Sequence, residues 1–391
     1  MDISYKYRLI ILFLISFVAT ALVFKPILKI AIGKNIVDNP DARKLQKIPI
    51  PVMGGIAVFF GIAVGLCFYK TMILYTALFP LLGAMIIMLY LGSIDDILSL
   101  SPSLRFIIEV GVALVLLYGL KFCIRDFQGL WGIDLIPATV GVILSVITFF
   151  GIVNAINMID GVDGLSSAFC ILILGCFGIV CFLAHDYSFA VLSAVCIGAL
   201  LPFFIHNVFG YTTKMFIGDG GTMMIGTAIS AMVFVILRRK FALAEEFPQL
   251  DFSRIAFVLS VLSIPIFDTL RVMTARAFHG RSPFSPDKNH LHHILVAAGY
   301  SYIAVTGIEL ALDIFVIGVF AATWLLGGSI DLQLYAVIAA AALADFGLSA
   351  LLNRSAQKDN KYYRRVHRRA QRSHVERKGI WLKIQKMIDG E

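Results

Sequence analysis

Met72-Ile-Leu-Tyr-Thr-Ala-Leu-Phe-Pro-Leu-Leu-Gly-Ala-Met-Ile-Ile-Met-Leu-Tyr-Leu-Gly92-Ser-Ile-Asp95-Asp96 is a span-length apolar run that ends on two adjacent carboxylates. About 20 apolar residues suffice to cross a bilayer as a helix. The same pattern, a long apolar run and then a short polar break, recurs along all 391 residues. With 59% hydrophobic residues and a mean hydropathy of +0.88, an ordinary soluble protein is excluded. The runs predict spans over 9–29, 52–69, 72–92, 106–122, 137–155, 165–184, 188–207, 222–237, 255–276, 303–325 and 331–352. The expected fold is an all-α polytopic membrane protein of about eleven helices. One membrane domain covers 1–353, and a basic tail, expected to be helical, covers 354–391. No linker, soluble domain or internal repeat interrupts it.

Sidedness follows from Lys and Arg. The face shared with the tail collects 23 of them and the other face nine, and without the tail the bias is eleven to nine. This predicts a cytoplasmic C-terminus and an external N-terminus. The competing reading makes the first run a signal peptide, with Lys6 and Arg8 ahead of it and Ala19-Thr20-Ala21 as a cleavage site. That would push the basic loop 33–51 outside. All six cysteines lie in or beside spans without metal-like spacing and read as small buried apolar residues.

Counted alternately, five loops share the tail's face: 30–51, 93–105, 156–164, 208–221 and 277–302. Three carry carboxylates beside glycine. Asp95 and Asp96 repel each other unless a cation or donors compensate; the plain alternative is Asp in the first turn of a helix, favoured by the macrodipole. Asn154-x-x-Asn157-x-x-Asp160-Gly-x-Asp163-Gly holds two carboxylates three apart, able to share a turn face, and amides at a costly depth; a lone Asp-Gly is usually just a turn. Phe216-Ile-Gly-Asp219-Gly-Gly precedes a span, so its amides can seat phosphate at a helix N-terminus, although it is not a Walker loop. Oxygen ligands with glycine-lined backbone suit Mg²⁺ and a phosphate-bearing substrate.

The last loop runs from Arg276 through His279 and Arg281 to Lys288-Asn-His290-Leu-His292-His293. Such a cluster could bind Zn²⁺, serve as acid or base, or donate hydrogen bonds to phosphate. Arg281 and Lys288 favour anion recognition, and the absence of cysteine partners weighs against structural zinc. The first loop, with Arg43, Lys44, Lys47 and a Pro49-x-Pro51 turn, supplies cations; the positive-inside rule explains them equally well. Inside the spans, Asp268 and Arg271 are spaced for an i,i+3 ion pair, and Glu309 and Asp313 share a face, with Glu109 and Asp345 elsewhere. Intramembrane carboxylates default to function, and bonding between helices is the equal alternative.

Together these motifs resemble the polyprenyl-phosphate N-acetylhexosamine-1-phosphate transferases: Arg-Lys…Pro-x-Pro-x-x-Gly-Gly at 43–55, Asp95-Asp96, Asn-x-x-Asn-x-x-Asp-Gly-x-Asp-Gly-Leu at 154–165, Phe-x-Gly-Asp at 216–219, and Arg-Ser-Pro-Phe to His-x-His-His at 281–293. The His-Leu-His-His form is more similar to the bacterial undecaprenyl-phosphate GlcNAc-1-phosphate transferases than to the peptidoglycan translocases, whose histidines are consecutive. One departure is Gln46, where many relatives carry His; that residue's role is not transferred. The resemblance implies a UDP-N-acetylhexosamine donor (GlcNAc first), a polyprenyl-phosphate acceptor, and Mg²⁺ with Mn²⁺ as substitute. UMP would be released at the start of a cell-surface glycan, in a bacterial inner membrane, with the site facing the cytoplasm. It implies Asp219 and Asp96 on the metal, Asp95, Asp96, Asp160 and Asp163 in catalysis, and Asn157, Arg281, His290, His292, His293 and Lys44 on substrate. A homodimer is compatible with this. The tail, with paired arginines and then Trp381, Ile384 and Ile388, is expected along anionic headgroups rather than on nucleic acid. The rival function is a multi-pass ion or metal transporter, for which coupling residues near the midplane and an internal repeat would be expected.

Overall fold

The computed structural model describes residues 3–39, 48–69, 72–238, 241, 243, 252–282, 288–358, 360–374 and 379–390. The helices are α1 (Ile3–Gly33), α2 (Gly54–Cys67), α3 (Met72–Leu98), α4 (Pro102–Leu120), α5 (Ala138–Met158), α6 (Leu165–Leu183), α7 (Tyr187–Phe209), α8 (Gly218–Ile236), α9 (Arg254–Val261), α10 (Ser263–Phe278), α11 (Leu291–Ala297), α12 (Tyr302–Leu325), α13 (Ile330–Ala342), α14 (Leu348–Gln357), α15 (Lys361–Gln371) and α16 (Ile380–Asp389). A π-helical turn, Leu343–Gly347, joins α13 to α14. Two short strands, β1 (Val37–Asp38) and β2 (Ile50–Pro51), pair antiparallel, with Val37 opposite Pro51.

Among the described residues, nine helices are long and apolar enough to cross a membrane. The ninth expected span, 255–276, is instead two helices meeting at 75°. Pro265 accounts for part of the break, since it has no N–H to offer the carbonyl of Val261. The exposed start of α10 is met by α12: Asp313 accepts from the Ser263 hydroxyl at 2.7 Å and the Ile264 amide at 3.1 Å. The second expected span is α2, whose 14 residues fall short of a full crossing. Elsewhere Pro26, Pro80 and Pro202 sit inside α1, α3 and α7, as membrane helices tolerate. Ser101 caps α4 by accepting from the Leu104 amide, with Pro102 in the first turn. The run expected to be either signal or span is a packed helix here: Ser16 in α1 donates to the carbonyls of Gly61 at 2.9 Å and Val195 at 2.8 Å.

The core is built around α8, which is apolar on every side and buried from Gly220 to Ile236. Glycines let its neighbours reach its backbone. A Cβ on Gly92 of α3 would lie 2.3 Å from the amide nitrogen of Gly220, and one on Gly55 of α2 would lie 2.5 Å from the Gly221 Cα. Small-residue contacts of this kind substitute for the hydrophobic drive that lipid removes. Asp219, in the first turn of α8, therefore stands at the centre of one end of the bundle.

Candidate active site

Asp95, Asp96 and Asp219 lie on helix ends, and Asp160 and Asp163 in the turn between α5 and α6. Asp95 and Asp96 are in the last turn of α3, so the first-turn alternative does not apply: a helix C-terminus disfavours negative charge. Compensation comes from two other elements. Both oxygens of Asp96 accept from the Asp219 amide, at 3.0 and 3.2 Å, placing that carboxylate on the N-terminus of α8. Gly218, with φ of +74°, makes the approach: a Cβ there would meet Asp96 at 2.6 Å. Asp95 accepts from the Leu100 amide at 2.7 Å and from Arg105 at 3.1 Å.

Arg105 is the hub. Its Nη1 donates to Asp95 at 3.1 Å and Asp219 at 3.4 Å, its Nε to Glu109 at 3.0 Å, and its Nη2 to the Asn154 amide oxygen at 3.4 Å. Asn154 in turn donates to Glu109 at 2.8 Å. One planar guanidinium thus orders α3, α4, α5 and α8, which a lysine's point charge cannot do. No local motif in the sequence singles out Arg105 for this role. The hint it does carry is the i,i+4 spacing of Arg105 and Glu109, with Asn154 as the further polar group at membrane depth.

In the turn after α5 the two carboxylates take different partners. Asp160 accepts from the Ser166 hydroxyl, while Asp163 accepts from Lys214 at 2.5 Å. Exclusion of water by surrounding protein pushes Asp160 up to about 7; the Ser166 hydrogen bond opposes the shift, and the carboxylates of Asp219 and Asp163 add to it. The residue still keeps a solvent-facing edge. Asn157 donates to the Thr222 hydroxyl at 2.9 Å, one turn from Asp219. Loops 30–51 and 208–221 are joined as well, since Phe216 donates to the Pro51 carbonyl at 2.8 Å and Gly54 to the Phe216 carbonyl at 2.9 Å.

The histidine segment packs against the same end. His292 is buried, and a Cβ on Gly161 would lie 2.4 Å from its Nε2. Its Nδ1 has no hydrogen-bond partner among the described residues. Burial, then the neighbouring His293 and His290, hold it well below the usual histidine range, so it is neutral at pH 7. His290 stacks on it, with ring centroids 5.5 Å apart, and donates through Nδ1 to Asp268 at 2.6 Å. Asp268 also accepts from the Leu291 amide at 2.9 Å and pairs with Arg271, the i,i+3 pair read from spacing. Arg271 reaches Asp345 in the π-helical turn at 2.9 Å. The intramembrane carboxylates Asp268, Asp313 and Asp345 thus bond between elements. Arg281 is exposed at the end of α10; Lys44, like Arg43 and Gln46, falls outside the described residues.

Asp96 and Asp219 offer hard oxygen donors that fit Mg²⁺. Among the described residues no group of three or more His, Cys, Asp or Glu is arranged to hold a metal. Two carboxylates plus substrate phosphates is nonetheless the usual Mg²⁺ arrangement, in preference to an all-protein cage.

A sequence profile of glycosyl transferase family 4 matches residues 78–237, the stretch that carries Asp95, Asp96, Asp160, Asp163 and Asp219. The chain is 30% identical over 304 residues to a Bacillus subtilis (strain 168) protein named "Probable undecaprenyl-phosphate N-acetylglucosaminyl 1-phosphate transferase", across 75% of this chain and 79% of that one. It is 28% identical to the undecaprenyl-phosphate alpha-N-acetylglucosaminyl 1-phosphate transferase of Yersinia pestis, covering 70% and 73% of the two chains. The protein of that name from Escherichia coli (strain K12) is 27% identical, covering 70% and 72%. By these matches the chain belongs to glycosyl transferase family 4.

Proposed function

We propose that this protein transfers N-acetylhexosamine-1-phosphate, with GlcNAc the first candidate, from a UDP-sugar to undecaprenyl or a similar polyprenyl phosphate, releasing UMP. The reaction end of the bundle faces the cytoplasm of a bacterium, the N-terminus lies outside, and the product starts a cell-surface glycan. The observation that carries the reading is the meeting of Asp95, Asp96 and Asp219 at Arg105 and the α8 N-terminus. The names of the relatives supply the acceptor and the sugar.

An oxygen of the lipid phosphate attacks the sugar-bearing phosphorus of the donor, and the bond to UMP breaks. Two anions must approach, so catalysis is mostly positioning and charge compensation. Asp219 and Asp96 would hold Mg²⁺, which would supply charge screening and Lewis acidity at the donor diphosphate. Asp95, oriented by Arg105 and the Leu100 amide, orients or deprotonates the lipid phosphate. Asn157, Asp160 and Asp163 serve the nucleotide side. Neutral His292, with His290, His293, Arg281 and Lys44, donates to diphosphate or sugar. A transporter fits less well: the relatives matched are named as transferases, and the sequence shows no internal repeat of the kind that frames a midplane transport site.

The test is UMP release by the purified, folded protein with polyprenyl phosphate, Mg²⁺ and a panel of UDP-N-acetylhexosamines. Release with one donor, dependent on both lipid and metal, is the expected result. No release with any donor would overturn the reading.

A further inference from the structure

The basic tail is not laid out as a free arm. Its first helix, α15, sits on the corner that follows the histidine helix α11. His367 donates to the Ala298 carbonyl at 2.9 Å and His374 to that of Gly299 at 3.0 Å. Ser301 donates twice to Ser373, from its amide to the hydroxyl oxygen at 3.0 Å and from its own hydroxyl to the carbonyl at 2.9 Å. These contacts take backbone groups that α11 and α12 leave unpaired at their ends.

Its second helix, α16, sits on a different loop. Asp389 accepts from the Tyr211 amide at 3.1 and 3.2 Å, from the Thr213 amide at 3.1 Å and from the Thr213 hydroxyl at 2.8 Å. Several donors from one turn converge on one carboxylate, an anion-holding concavity filled by the chain itself. The Trp381 ring packs 5.0 Å from Phe209, the last residue of α7. His206 adds a bond to the Thr213 hydroxyl at 3.0 Å. One residue beyond Thr213 is Lys214, which holds Asp163 at 2.5 Å, and five beyond that is Asp219.

We propose that α15 and α16 act as a clasp at the reaction end, α15 holding the histidine corner and α16 the α7–α8 loop, and that Asp389 is a positioning residue acting through Lys214 and Asp163 on the nucleotide-sugar. It touches no reacting group. Its cationic residues Arg365, Arg368 and Arg369 are exposed, and Asp389, Trp381, Ser373 and the histidines contact the bundle. A tail whose purpose was only electrostatic would need none of these directional bonds. The kinetic meaning of the clasp rests on the transfer reading above; its docking does not.

The test uses the full-length protein with Asp389→Ala, Asp389→Asn and Trp381→Ala, read by amide hydrogen exchange over 210–214 and by steady-state kinetics. In Asp389→Ala, exchange at Tyr211 and Thr213 should rise about 10-fold or more, because their acceptor is gone. KM for the UDP-sugar should rise about 5-fold, with kcat and the KM for polyprenyl phosphate within about 2-fold of wild type. Asp389→Asn should recover part of the loss, since its amide oxygen still accepts. In a Lys214→Ala background, Asp389→Ala should add no further rise, as expected for two residues in one chain of contacts. Unchanged exchange would overturn the docking. Raised exchange with unchanged KM, or fully additive effects with Lys214→Ala, would overturn the positioning role. Should Asp389→Ala not fold, Trp381→Ala carries the same readouts. If wild type releases no UMP, the transfer reading fails, while the exchange result still decides the clasp.

Discussion

Two clusters of charge share one end of this bundle, and they are built in opposite ways. Around Arg105, the Asp219 side chain keeps 36% of its surface exposed and Asp96 is open to solvent. Around Arg271, Asp268 keeps 2% and Asp345 none. The first cluster uses an arginine and a helix N-terminus to gather carboxylates, of which Asp96 and Asp219 still face outward while Glu109 anchors the arginine from inside. In the second, Arg271, His290 and the Leu291 amide consume Asp268 and lock α10, the π-helical turn and the histidine helix together. The same residue types thus do different work: open coordination marks the place where a cation and phosphates arrive, and closed coordination marks a frame.

That contrast breaks if the open cluster proves structural. Asp219→Asn keeps the shape and removes the charge; UMP release should fall by at least about 1,000-fold, with thermal stability in detergent unchanged. Retained turnover would remove Asp219 from the metal site. The closed cluster should respond the other way. Asp268→Ala leaves Arg271 and His290 without their shared acceptor, and breaking a buried pair costs about 3–5 kcal/mol. The expected outcome is a clear drop in melting temperature. An unchanged melting temperature with lost activity would assign Asp268 to chemistry instead of framing.

How visible these two clusters were in the sequence differs for a physical reason. Span-length apolar runs and glycine-flanked aspartates are local signals, so the helical membrane fold and the three acidic breaks could be read directly, as could the Asp268–Arg271 spacing. Non-local arrangement could not. Arg105 becomes a hub only because Gly92 and Gly55 let α3 and α2 approach α8, which brings Asp219, 114 residues further along the chain, onto its guanidinium. Hydropathy counts 255–276 as one span, although Pro265 and Asp313 support a break, because composition is blind to a bend. For α2 it counts two residues too many at each end of a 14-residue helix. The tail read as a basic strip because charge is local, whereas its directional bonds to 209–213 and 297–301 are tertiary.

A smaller effect sharpens what the hub is for. Arg105→Lys keeps the positive charge and loses the fork. If Arg105 served only to neutralise Asp95 and Asp219, turnover would hold; if it fixes their geometry, kcat/KM should fall about 10- to 30-fold. Measuring Asn154→Ala beside it separates the arms, since Asn154 touches Arg105 and Glu109 without reaching the aspartates.

The smallest effect concerns Asp160, at the border between the two clusters, and its sign can be worked out. The folded protein holds this carboxyl near 7 against 3.8 for the ordinary group, so it binds the proton more tightly than the unfolded chain does. Stability from this residue is therefore greatest below about pH 4 and is lost as pH rises through about 7. Because the residue keeps a solvent-facing edge, screening limits the loss to the order of 1 kcal/mol. Asp160→Asn, which cannot ionise, should melt about 2 °C higher than wild type at pH 8 and match it at pH 4. A bound cation or a donor's positive partner would favour the ionised form, so adding Mg²⁺ with UDP-sugar should shrink the difference at pH 8. If it does, Asp160 belongs with the open cluster; if the difference is indifferent to ligand, Asp160 belongs to the frame.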